Sequence, residues 1–94
     1  MRIAIGEWTR AVVLGGAVVV SLVVTSPRPL TVLALDLLDD GQPGVTMHGD
    51  DLRPVRAMAI TPTRAGTFRL VVEATDSAGC QDRTGALRRV EVTR

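Results

Sequence analysis

Three features of this 94-residue chain predict an all-β fold, an antiparallel sandwich of short strands. Valine and threonine together contribute 24 residues, and branched side chains suit a pleated surface better than a helix. The segment Thr67–Thr75 alternates throughout: Phe68, Leu70, Val72 and Ala74 face one way, and Arg69, Val71, Glu73 and Thr75 the other. Turn residues recur at short intervals, and no stretch carries a helical period of apolar residues.

The length suits one small domain. Hydrophobic residues at 46% and charged residues at 22% are ordinary for a folded domain and exclude a disordered tail. The formal charge of +1 speaks against a polybasic binder of nucleic acid or anionic membranes. A single cysteine, Cys80, excludes an intrachain disulfide and a cysteine-built zinc site. A single histidine, His48, excludes multi-histidine metal sites.

Met1–Trp8 alternates weakly, with Ile3 and Ile5 on one side, and reads as an edge strand or a free arm. Residues 1–10 are accordingly set apart from a domain over 11–94. Arg10–Leu14 is a short strand before the Gly15-Gly16 turn. The uncharged run Ala11–Ser26 admits three readings. A membrane span needs about 20 apolar residues, and this run is shorter and flanked by Pro27 and Pro29. A secretory leader fits the length, with Arg2 and Arg10 before the apolar part, but no good cleavage site follows it. A strand fits best. Val18, Val20, Leu22 and Val24 share one face and Val19, Ser21 and Val23 the other, as in a central sandwich strand.

Ser26-Pro27-Arg28-Pro29 is a loop, since proline lacks the ladder donor. Leu30–Leu38 is a strand with Leu33, Leu35 and Leu37 on one face and Val32, Ala34 and Asp36 on the other. It stops at Asp39-Asp40-Gly41. Asp39–Pro54 reads as a long polar loop with a short strand at Val45–His48, and Val55–Thr61 alternates again. Asp76-Ser77-Ala78-Gly79 is a tight reversal. Aspartate can accept from backbone donors two residues on, and glycine tolerates positive φ. Leu87–Thr93 closes the chain with Val90 and Val92 inward.

The stretch Thr61-Pro62 … Ala65-Gly66-Thr67-Phe68-Arg69-Leu70-Val71-Val72-Glu73-Ala74-Thr75-Asp76-Ser77-Ala78-Gly79 resembles the last third of bacterial immunoglobulin-like domains. A turn glycine precedes an aromatic residue, an alternating strand runs into an A-T-D-x-A-G hairpin, and a last strand such as Arg89–Thr93 follows. The likeness covers most of residues 11–94. It implies an immunoglobulin-like antiparallel β-sandwich of about seven strands without a disulfide. The Cys…Trp…Cys core of antibody domains is missing, and Phe68 offers no tyrosine-corner hydroxyl. These motifs specify turns and strands, so they carry no chemistry.

The aspartates at 39, 40, 50, 51, 76 and 82 lack the dense spacing of calcium loops and read as turn formers. His48 with Asp50 and Asp51 has neither a third partner nor room for a pocket in so small a domain. No catalytic residue, metal ligand, cofactor or small-molecule substrate is expected. The arginines are scattered, with only Trp8 and Phe68 as aromatic companions, so no nucleic-acid platform is expected either.

What remains is a binding module. Its expected contact residues are Ile3, Ile5 and Trp8 of the arm, and His48 and Asp50 of the long loop. The expected partner is a protein, such as a capsid, tail or surface-layer subunit, with a homo-oligomer as a further option. The expected location is a virion or a bacterial cell surface. An exported envelope module with residues 1–26 as signal peptide or anchor is the alternative.

Overall fold

A computed structural model describes all 94 residues. Nine strands form and no helix does: β1 (Arg2–Trp8), β2 (Ala11–Val13), β3 (Val18–Thr25), β4 (Leu30–Leu38), β5 (Val45–His48), β6 (Ala57–Ile60), β7 (Gly66–Asp76), β8 (Gln81–Arg83) and β9 (Arg88–Thr93). They make a three-stranded sheet, β1-β3-β6, and a larger sheet, β2-β9-β7-β4-β5, with β8 also pairing with β7.

The period-2 patterns decide which side chains meet between the sheets. In β3 the faces alternate strictly, with Val18, Val20, Leu22 and Val24 buried and Val19, Ser21, Val23 and Thr25 exposed. Opposite them lie Leu33, Leu35 and Leu37 of β4, Phe68, Leu70, Val72 and Ala74 of β7, and Val90 and Val92 of β9. Met58 and Ile60 of β6 complete this core. Each such side chain stabilises the fold by about 1.5–3 kcal/mol when fully buried. The valine-rich run is therefore the middle strand of its sheet, with one face in the core and the other in solvent.

The structure departs from the expected pattern in three places. Nine strands form, eight of them at segments read as strands from the sequence and one, β8, unforeseen. Its residues Gln81, Asp82 and Arg83 have no apolar face to signal a strand, and they are held by pairing with Thr75, Ala74 and Glu73. The sandwich is also not wholly antiparallel: β2 pairs with β9 in parallel. The N-terminal segment leaves one sheet after Trp8 and joins the other at Ala11, which reverses its partner without reversing its direction. Finally, Val71 points away from the core yet is 4% exposed. The Arg83–Ala86 stretch lies over it on the outside of the larger sheet.

Candidate interaction surfaces

The Asp76 turn shows how this chain uses its acidic groups. Asp76 is the last residue of β7 and is 3% exposed. Its Oδ1 accepts from the backbone N–H of Ala78 and of Cys80, both at 2.9 Å. Its own N–H donates to the Cys80 carbonyl, and Gly79, at φ 84°, donates to the Asp76 carbonyl. Ser77 donates to the Pro29 carbonyl, so the turn is also pinned to the loop before β4. Arg28 stands 3.7 Å from Oδ2 with its side chain half in solvent, a loose pair worth little. Asp40, 2% exposed, does similar work by accepting from the Gln42 N–H, and it follows Asp39 at φ 73°.

The segment with His48, Asp50 and Asp51 lies at one end of the sandwich. His48 ends β5 on the edge of the larger sheet, and its side chain is exposed, as is that of Asp50. The loop is anchored where Gly49 and Leu52 donate their N–H groups to the Thr31 and Leu30 carbonyls. Asp51 turns to Arg53, taking its Nη2 at 2.8 Å, its Nε at 3.0 Å and its backbone N–H at 3.1 Å. These hydrogen bonds hold the Asp51 carboxyl down at about 2. The stabilisation they give is complete above the ordinary value of 3.8 and fades as pH falls through about 2. Asp51 is thus committed to Arg53, while His48 and Asp50 face solvent. None of the surface depressions is lined by His48, Asp50 or Asp51.

The N-terminal residues pair with their own domain. β1 runs antiparallel to β3, Ile3 opposite Val24 and Ile5 opposite Leu22. Ile3, Ile5 and Trp8 are half-buried against the core. Two bonds tie this strand to the other sheet. The Ile3 N–H donates to Asp82 Oδ2 at 3.2 Å, and Trp8 Nε1 donates to the Arg89 carbonyl at 3.1 Å. Arg10 lies over the Trp8 ring at 4.5 Å and Arg88 at 5.7 Å, so the indole is flanked by two guanidinium groups. What this strand turns outward is Arg2, Ala4, Gly6 and Glu7.

One polar depression, of about 170 Å³, lies on the outside of the larger sheet, among Asp36, Gly44, Thr46, Glu73 and Arg83. Asp36 Oδ1 is buried there without a hydrogen-bond partner. Burial first, and the Asp40 carboxylate second, push the Asp36 carboxyl above its ordinary 3.8, against the pull of the Leu37 N–H and Arg83. A raised value in the folded state means that ionisation opposes folding. The penalty is absent below 3.8 and grows as pH rises through the raised value. Asp36→Asn, which removes the charge, is therefore expected to stabilise the protein at neutral pH. The gain should vanish when urea melts are repeated in acid. Equal stabilisation at both pH values would contradict this account of Asp36.

This architecture is that of the immunoglobulin-like and fibronectin-like β-sandwiches: two facing sheets, no disulfide and no helix. Among solved structures, the chain is similar to the fibronectin(III)-like modules of Clostridium thermocellum CbhA, with 17% identity and a TM-score of 0.70. The match covers 98% of this chain and 96% of that one. At that identity the likeness shows the fold alone. No family model matches the chain. No curated protein matches it.

Proposed function

We propose that this chain is a non-catalytic structural and interaction module that attaches through its N-terminal strand and its loops to a larger protein assembly. A bacteriophage virion, with the chain as a decoration or head–tail protein, is the assembly the reading favours. The observation that carries it is the division of labour among the loop side chains. Asp40, Asp51 and Asp76 are engaged in holding turns, whereas His48 and Asp50 stand exposed on a loop fixed to β4 by two backbone bonds. Rigidly held loops at the end of a sandwich suit recognition. β1 adds an edge strand that carries Ile3 and Ile5, with Trp8 at its end, although the Ile3 N–H on that edge is already engaged by Asp82. No helix is long and apolar enough to cross a membrane.

Imaging of the native assembly and peptide mass spectrometry of its components test this reading. The chain should be found in virions with peptides from residues 1–26 present. The double variant His48→Ala/Asp50→Ala should lower its incorporation about tenfold, which corresponds to the loss of a modest interface contact. Its melting, followed by Trp8 fluorescence, should stay unchanged. A native protein that diffuses freely and binds nothing would overturn the proposal. Recovery from a cell envelope without residues 1–26 would favour an exported module instead.

A further inference from the structure

An antiparallel sheet with one face in water ordinarily turns polar side chains outward. The three-stranded sheet does so only in part: beside Arg2, Glu7, Ser21 and Thr25 it turns out small and apolar residues. Its outward positions include Ala4 of β1, Val19 and Val23 of β3, and Ala57 and Ala59 of β6. Val19 is 47% and Val23 45% exposed. Ser21 lies at the centre, between Gly6 and Ala57. A Cβ on Gly6 would stand 2.7 Å from Ser21 Oγ, the same oxygen that accepts the Glu7 N–H at 2.9 Å. Glycine at position 6 therefore keeps the middle of the face flat and lets Ser21 hold Glu7 in place.

Charge is placed at the two ends of this face. On one side of Ser21 a shallow depression runs over Ala4 and Val23 and is bounded by Arg56. On the other side a second runs over Val19 and is bounded by Glu7. The chain's ion pairs are Arg28–Asp76, Arg53–Asp51 and Arg69–Asp39, so neither Arg56 nor Glu7 has an internal counter-charge. The Arg56 guanidinium meets only the carbonyls of Arg53 and Val55.

We propose that this face packs against the same face of a second copy of the chain, about a two-fold axis near Ser21, so that each Arg56 meets the other copy's Glu7. A patch with small and apolar side chains around Ser21, a cation on one side and an anion on the other is complementary to itself under such an axis. The inference deepens the interaction-module reading and rests on it only in treating the chain as a binder of protein. Strands of seven, eight and four residues present roughly 300 Å². That is well under half of the roughly 800 Å² per partner of a standard interface, so the dimer is weak and exchanges freely.

Analytical ultracentrifugation of the full chain tests it. Sedimentation equilibrium should show a monomer–dimer balance with a dissociation constant on the order of 100 µM, weakening with added salt. Glu7→Arg and Arg56→Glu should each weaken the dimer at least about tenfold, because each sets like charges against one another twice. The double variant Glu7→Arg/Arg56→Glu should restore it to within about threefold. Val23→Glu should abolish it. Trp8 fluorescence melts confirm that each variant is folded. A wild-type monomer at every concentration up to about 1 mM, or a dimer indifferent to the single reversals, or a double variant without rescue, overturns the proposal. A monomeric chain that still loses incorporation on His48→Ala/Asp50→Ala would sink self-pairing while leaving the module reading in place.

Discussion

A chain lacking residues 1–26 is expected to be unfolded. Those residues supply β1, β2 and β3, which are two of the three strands of one sheet and an edge strand of the other. Val18, Val20, Leu22 and Val24 would be lost from the core, each no more than 5% exposed. At about 1.5–3 kcal/mol per buried side chain, their loss removes about 6–12 kcal/mol. The whole stability of a domain is about 5–15 kcal/mol. The deletion would also open to water the inner faces of β4, β7 and β9, whose leucines and valines pack on β3. Circular dichroism and the dispersion of amide proton resonances are the measurements. A cooperative melt from residues 27–94 alone would show that the second sheet can close its core without the first. Loss of folding in the shortened chain would tie the fold to residues 1–26, which is why their fate in the native protein discriminates between the two biological settings.

Asp76→Ala is expected to be the most damaging single substitution outside the apolar core, at about 3 kcal/mol. Two backbone N–H groups, of Ala78 and Cys80, lose a charged acceptor at once. Hydrogen bonds to charged groups contribute about 1.5–3 kcal/mol each. The residue is also the hinge between β7 and β8, and its neighbour Ser77 fastens the turn to Pro29. Asp76→Asn keeps an acceptor oxygen for the same donors and should cost about 1 kcal/mol. Arg28→Ala should cost less than about 1 kcal/mol, since that pair is long and half exposed. Urea denaturation followed by the lone tryptophan, in a chain without tyrosine, measures all three cleanly. Equal losses for Asp76→Ala and Arg28→Ala would transfer the turn's stability from the backbone acceptor to the ion pair.

Much of this was legible residue by residue. The alternation of Val18–Thr25, Leu30–Leu38 and Thr67–Thr75 predicts which side chains are buried, because a strand's two faces follow a period of two. The role of Asp76 and the positive φ of Gly79 are legible for a local reason: both ends of those interactions lie within four residues. Asp36 was legible only as an outward residue. Its burial depends on Gly44, eight positions on, folding back close to its Cβ. Trp8 was legible as a contact residue, but not as a strut to Arg89, which lies 81 positions away.

The amino-acid order by itself therefore determined the strand class, the inner and outer face of each long strand and the chemistry of the turns. Those properties depend on interactions within a few residues and on the partition of side chains between water and apolar surroundings. Only the tertiary structure decided that the N-terminal segment crosses from one sheet to the other and lies parallel to β9. It alone decided that Val71 is covered from outside, that Asp36 Oδ1 is left buried and unpaired, and that Glu7 and Arg56 stand on either side of Ser21 on one sheet face. The physical reason is that periodicity tells a strand which way its side chains point, and carries no information about which neighbour, in which direction, receives its hydrogen bonds.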